Sequence, residues 1–344
     1  MIVVRAGPVS ARFSRRALVV AVVLVAAGLA LGFAGLARGT EWSPPGEVLA
    51  ALAGRGEEAF VILQWRLPRV CAAAVFGAGL GLAGAVFQNL TRNPLGSPDV
   101  IGLDAGAYTG ALIVLTAVGG TAFSLTGAAM LGGLLTAAVV YALSLRSGLD
   151  RRLLIVVGIA VNAVLTAVNS WIVLRVDLEV ALAASGWSTG SLNGLDWSDV
   201  GVPFLVVGVL AALLAALSRA MHQAGLGDEL AVASGVAVGR LRLLTVFAGV
   251  GCTATVTAVT GPIVFVALAA PHIGRRLAGA AGVPLLPAAL TGAVLLLAAD
   301  LTAQLLLAPV ALPVGVVTTA IGGGYLLWLL FTELRRGPAA GTAG

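Results

Sequence analysis

The feature that most constrains this chain is a succession of apolar runs, most of them about twenty residues long, from near residue 17 almost to the C-terminus. A helix of that length crosses the hydrocarbon core of a bilayer, about 30 Å thick. Such runs cannot all be hidden inside a water-covered sphere. Charged residues make up 10% of the chain, against about 25% in soluble domains. With 59% of its 344 residues in the hydrophobic set, and 46 glycines besides, the chain lacks the polar side chains to coat such a surface. A soluble enzyme is excluded. The sequence predicts an all-α, polytopic membrane protein with one transmembrane domain over residues 1–344.

The runs place ten spans, at about 17–37, 66–88, 100–118, 122–145, 153–174, 200–219, 243–260, 262–274, 284–307 and 312–333. The first follows Arg5, Arg12, Arg15 and Arg16, as a signal peptide would. The same texture continues to the other end, however, so it reads as an uncleaved span. Residues 1–16 read as an N-terminal tail, 337–344 as a flexible C-terminal tail, and 38–65 as an external loop. The polar, glycine-dotted stretch 220–240 reads as a cytoplasmic insertion. An even number of spans puts both termini on one side.

All twenty basic residues are arginine. Without lysine the chain has no P-loop, which needs one to reach the phosphates, and no Schiff-base chemistry. If the termini are cytoplasmic, inner segments hold fifteen arginines, and outer segments hold Arg38, Arg55, Arg66, Arg69 and Arg175. Cytoplasmic loops carry the excess of positive charge, so this orientation follows. The outer segments instead carry Glu41, Glu57, Glu58, Asp177 and Asp196, with Trp42, Trp65, Trp171, Trp187 and Trp197 near the interface. The net charge of +5 therefore reflects orientation, not nucleic-acid binding. Cys71 and Cys252 lie in apolar runs and read as packing residues. With two widely separated histidines they offer no metal-ligand spacing.

Gly77 and Gly81, and the series Gly102, Gly106 and Gly110, repeat at four-residue intervals, which lets helix backbones approach closely. Three polar segments stand out. The first is Arg66-Leu67-Pro68-Arg69, followed after one span by the stretch from Gln88 through Asn93-Pro94-Leu95 to Asp99, which reads as a stiff cytoplasmic turn. The second is Gly227–Gly235, where Asp228 suits an N-cap and Gly235 a helix stop, giving a helix too short to span. The third is Gly261-Pro262-Ile263-Val264-Phe265-Val266, with Pro271-His272-Ile273-Gly274-Arg275-Arg276 after it.

In that order and spacing the segments resemble the FecCD-like permease family, the transmembrane subunits of binding-protein-dependent ABC importers for ferric siderophores, haem and cobalamin. The resemblance runs from about residue 60 to 333. It includes GAGLGLAG at 77–84, NPLGSPDVIG at 93–102, LGDELA at 226–231, LLAAD at 296–300 and ALPVGVVTTAIG at 311–322. It implies the type II ABC importer architecture in the bacterial inner membrane. It also implies a dimer with an identical or paralogous permease, two cytoplasmic ATPase subunits that hold the ATP and Mg²⁺, and an external solute-binding protein. The expected cargo is a ferric siderophore, with haem or cobalamin as the alternative. No cofactor is expected in this chain itself, and no catalysis.

Residue by residue, the resemblance assigns Leu226, Gly227, Asp228, Glu229, Ala231 and Gly235 to ATPase coupling. Asn93, Pro94 and Leu95 would close the cytoplasmic gate, and Arg66 and Arg69 would dock the binding protein. Gln304 stands where the family commonly has a further arginine, Asp104 where a small residue is usual, and Gly323-Gly324-Tyr325 where Ala-Pro-aromatic is usual. Two intramembrane polar residues stand apart. His272, near the cytoplasmic edge, suits a bond to a freed carbonyl. Asp300, deep in an apolar run, requires a partner or a proton. An ion-coupled secondary transporter would share the ten spans, but would carry more intramembrane acids than Asp104 and Asp300 and would need no capped docking helix.

Overall fold

The computed structural model describes residues 2–6, 9–13, 15–39, 41–117, 122–145, 151–279, 282 and 284–335. The expected tail at 337–344 lies outside them. In chain order the helices are α1 (Arg15–Ala37), α2 (Pro45–Leu52), α3 (Ala59–Val61), α4 (Leu67–Thr91), α5 (Leu103–Ala117), α6 (Ala122–Leu145) and α7 (Arg151–Val173). They continue as α8 (Leu178–Ser188), α9 (Trp197–Gly225), α10 (Asp228–Ala233), α11 (Val238–Thr260), α12 (Val266–Ala278), α13 (Leu285–Leu306) and α14 (Val314–Arg335). Ten of these, α1, α4 to α7, α9 and α11 to α14, overlie the ten expected spans. Seven helical segments are long and apolar enough to cross a membrane, with α3 and α4 forming one 33-residue rod. One part is not helical. The expected N-terminal tail contains an antiparallel hairpin of β1 (Ile2–Ala6) and β2 (Val9–Phe13), in which Ile2 faces Phe13. Its strands include the β-branched residues Ile2, Val3, Val4 and Val9, which favour extended backbone.

The region expected as an external loop is largely helical. Besides α2 and α3 it holds a π-turn over Ile62–Arg66 that runs straight into α4, so the rod begins seven residues before the expected edge. Pro68 is the physical reason for the wide turn. It has no N–H to return to the carbonyl one turn earlier, and a widened turn absorbs that loss without ending the helix. Ile62 is fully buried here among Leu36, Val48 and Ala51.

Helices α4 and α11 occupy the centre. In their most apolar stretches 72% of residues are buried, against 11% for α1 and α7, whose outer faces are left for lipid or another chain. The packing partner of α4 is chiefly α13. Gly77 lies against the Gly292 backbone, and Gly81 against the Ala288 carbonyl. Farther along, a Cβ on Gly84 would overlap the Ala267 carbonyl of α12. Gly106 and Gly110 pack in the same way on α6, at Gly132 and Ala128. Without a hydrophobic drive between helices in lipid, close backbone contact of this kind supplies the association.

Gly102, the first of the expected α5 stripe, is not on the helix at all. It has φ 75° and ends a 3-10 turn over Pro98–Ile101. A Cβ there would lie 3.0 Å from Asn162, halfway along α7. The chain thus returns from α4 to the level of mid-α7 before α5 starts. The stretch before α12 is similar: Phe265 has φ 72° and its side chain packs on Gly322, well inside α14. Irregular backbone at such depth is tolerated because protein surrounds it.

Candidate functional site

At the outer end of α4, Arg66 and Arg69 turn into the protein. Arg66 Nη1 donates to the Leu36 carbonyl at 2.9 Å and to Ser43 Oγ at 2.8 Å, and lies 3.7 Å from Glu58. Arg69 grips Asp300 of α13 with Nε and Nη2 at 2.8–3.1 Å. Gln304, one turn further along α13, donates to Oδ2 of that carboxylate at 2.9 Å. The two arginine side chains are 16% and 17% exposed, and Asp300 is 4% exposed. Both arginine side chains are thus held by partners within the chain. A guanidinium at the edge of a low-dielectric region is stabilised by the nearest counter-charge, and Asp300 and Glu58 supply it. Arg66 and Arg69, with Arg38, Trp65, Asp196 and Gln304, line an outward cavity of about 610 Å³. Asp196 caps α9, accepting from Ser198 and from the Asp199 N–H. Those bonds, the one from the Ser198 side chain foremost, hold its carboxyl below the usual carboxylate range.

A second cavity, also about 610 Å³, lies between α5, α7 and α8. Its polar lining comes from Asp104, Tyr108, Asn162, Thr166, Asn169, Ser170 and Ser188. Asn169 donates to the Ala105 carbonyl at 3.0 Å and accepts from Thr109 at 2.7 Å. Asp104 accepts from Thr257 of α11 at 3.1 Å, which accounts for its place in an apolar wall. Tyr108 stacks on Trp187, with centroids 6.0 Å apart. Sequence reasoning passed over this face of α7. The signal was present, because Asn162, Thr166 and Asn169 recur at helical spacing within an otherwise apolar span.

On the cytoplasmic side α9 ends at Gly225 and the chain turns through Gly227 (φ 135°) into α10. Asp228 was expected as the N-cap. Gly227 takes that place, and Asp228 is the first helical residue, its carboxylate reaching Arg242 Nη2 at 2.6 Å and Arg92 Nη2 at 3.5 Å. Ser234 caps α10, and Gly235 follows at φ 85°. Ala231 is buried and Glu229 exposed, while Leu226 is 70% exposed and Leu230 and Val232 are 62% exposed. The Asn93-Pro94-Leu95 segment begins beside Arg92, itself in the left-handed conformation that ends α4. The Leu95 N–H donates to Asn93 Oδ1 at 2.9 Å, and the Leu95 side chain is half exposed.

His272 of α12 meets the Tyr325 hydroxyl of α14 through Nδ1, a side-chain partner that the sequence reading did not foresee. Tyr325 is the aromatic residue of the unusual Gly323-Gly324-Tyr325 segment, and Arg276 lies over the neighbouring Trp328 ring at 5.8 Å. Among the described residues no group of three or more His, Cys, Asp or Glu could hold a metal ion.

Comparison with known proteins accounts for this layout. Residues 16–332 match the FecCD transport family. The ferric enterobactin transport system permease protein FepG of Escherichia coli is 46% identical over 327 residues, covering 94% of this chain and 98% of the relative. The Fe(3+)-citrate import system permease protein YfmE of Bacillus subtilis is 35% identical over 330 residues, covering 94% and 98%. A solved structure described as an inward-facing conformation of a metal-chelate type ABC transporter superposes with a TM-score of 0.80 at 27% identity, covering 92% of this chain and 99% of that one. The seven long apolar helices among the described residues, the shorter apolar ones and these relatives agree on a multi-pass permease of the bacterial inner membrane. The chain belongs to the FecCD transport family.

Proposed function

We propose that this chain is the permease subunit of an ABC importer that brings a ferric siderophore into the cytoplasm. The observation that carries the reading is α10. It is a six-residue helix outside the spans, and it offers Leu230 and Val232, with Leu226 just before it, to water on the side richest in arginine. An apolar face there has no lipid to cover it, so it calls for a protein partner. A cytoplasmic ATPase subunit, carrying ATP and Mg²⁺, is that partner, and Glu229 and Gly235 border the same surface. The cavity beside α7 forms half of the pathway, completed by an identical or paralogous second permease. Asn93, Pro94 and Leu95 close its inner end with an apolar constriction. The outward cavity at Arg66 and Arg69 receives the solute-binding protein. In this reading the chain performs no chemistry on its cargo. The names of the FepG and YfmE relatives support an iron chelate. A cobalamin import permease of Halobacterium salinarum, 36% identical over 267 residues, keeps cobalamin as the second reading.

The test is reconstitution of this chain with its ATPase and binding protein in liposomes. ATP-dependent uptake of the ferric chelate bound by that protein is expected, with none when the ATPase subunit is left out. Energy-dependent uptake by the permease alone would overturn the reading.

A further inference from the structure

The segment between α4 and α5 is held at its deep end by a bond of its own, Ser97 Oγ donating to Asp99 Oδ2 at 2.8 Å. At its cytoplasmic end Arg92 reaches Asp228 of α10. Between these ties the chain bonds to itself. Thr91 Oγ1 donates to the Phe87 carbonyl at 2.7 Å, the Leu95 N–H to Asn93 Oδ1 at 2.9 Å, and the Gly96 N–H to the Asn93 carbonyl at 3.0 Å. Residues 91–96 therefore form one tight turn against the end of α4, with Leu95 at the tip.

Asp228 meets Arg242 and Arg92 unequally. Arg242 of α11 is at 2.6 Å and Arg92 at 3.5 Å. The Arg92 and Asp228 side chains are each 45% exposed, and Arg242 is 24% exposed. Coulomb attraction falls with distance and with exposure to water, so the Arg242 contact fastens α10 to α11, and the Arg92 contact is the one that exchanges readily. A crevice lined by Asn89, Arg92, Met221, Asp228 and Arg242 separates the elements beneath this pair. The ionic contact is thus where α10 reaches the end of α4.

We infer that Asp228 is a positioning residue. It passes displacement of α10 to the Asn93-Pro94-Leu95 turn through Arg92, and it does so without holding the ATPase itself. This rests on the reading of α10 as the ATPase docking element. A pair this exposed adds little to stability, which leaves it free to form and break within a transport cycle. Its worth lies in direction, because the same carboxylate touches the docking helix, the fixed α11 and the turn that bears Leu95.

The experiment uses the permease co-expressed with its ATPase subunit in nanodiscs. Leu95→Cys, in a Cys71→Ser and Cys252→Ala background, carries a polarity-sensitive fluorophore. MgATP is added, and the emission shift, the rate of hydrolysis and the retained ATPase are measured together. The shift should fall about threefold in Arg92→Gln, the scale of an exposed ion pair, with hydrolysis and ATPase retention unchanged. Arg92→Lys should keep the shift. Asp228→Asn should lose it, and Arg92→Gln combined with Asp228→Asn should lose no more than Asp228→Asn alone. A full shift in Arg92→Gln, additive losses in the double variant, loss of the ATPase from Arg92→Gln, or no shift in the parent would each overturn the inference. Leu230→Asp tests the underlying reading separately. It should release the ATPase; if the ATPase stays bound and active, α10 is not the docking element, and the inference falls for that reason.

Discussion

The two ends of α4 carry the same chemistry in opposite settings. At the outer end Arg69 meets Asp300 through two nitrogens, with both side chains largely buried and Gln304 completing the carboxylate's bonds. At the inner end Arg92 meets Asp228 through one nitrogen at 3.5 Å, with both side chains 45% exposed. A buried, bidentate pair is costly to separate, because each charge left alone has no water to solvate it. An exposed pair exchanges with water at little cost. The helix is therefore pinned to α13 outside and only lightly held to α10 inside. That asymmetry suits a structure whose inner end must respond to a partner while its outer end keeps the bundle together.

The largest effect should come from breaking the outer pair. Arg69→Ala leaves Asp300 buried and unpaired and should cost about 3–5 kcal/mol, whereas Arg69→Met with Asp300→Leu should recover most of it. Thermal unfolding in nanodiscs measures both. If the double variant is as unstable as the single one, the pair is more than a charge balance.

Next comes the middle of the rod. Gly84→Val would force a side chain into the Ala267 carbonyl, where even a Cβ overlaps, and should cost about 1–3 kcal/mol. Its signature is a lowered melting temperature with the outer pair intact. A neutral result would mean that α4 and α12 separate freely.

A smaller effect is expected for the binding protein. Arg66 keeps part of its guanidinium at the outward cavity. Arg66→Glu should slow association of the binding protein more than Arg66→Ala does, and the difference should shrink as salt rises, because rim charges act chiefly on association rate. Equal rates at two salt concentrations would remove Arg66 from that surface.

The smallest effect belongs to the inner pair. Arg92→Gln should change unfolding stability by less than about 1 kcal/mol, and raising salt should erase what difference there is. A loss as large as that of Arg69→Ala would abolish the contrast between the two ends of α4.

How much could be read in advance differs from residue to residue. The ten spans and the short helix at 228–233 were legible, because hydropathy and capping are local properties. Asp300 could be recognised as needing a partner, since a lone carboxylate in an apolar helix is unfavourable. Arg69 could not be named as that partner, because the two lie 231 residues apart and nothing local to either distinguishes Arg69 from Arg66. The start of the α4 rod was missed for a related reason. Pro68 reads as a beginning, and only the packing of Ile62 on Leu36 and Val48 rewards continuing the helix upstream through a π-turn. The polar face of α7 was overlooked because Asn162, Thr166, Asn169 and Ser170 are scattered among apolar residues and barely alter the apolar character of the span.

By itself, then, the sequence determined that this chain lives in a bilayer, how many times it crosses, and which way it faces. Those are set by the transfer of each segment into lipid and by where the arginines fall, and both are additive along the chain. Tertiary structure decided which charges meet, where Gly102 and Phe265 bring irregular backbone into the membrane, and which arginines remain exposed. Those depend on close approach between helices distant in sequence, such as α4 on α13 through Gly77 and Gly292. Apolar transfer energy does not encode that approach, because in lipid every face of a span is equally satisfied until another helix is set against it.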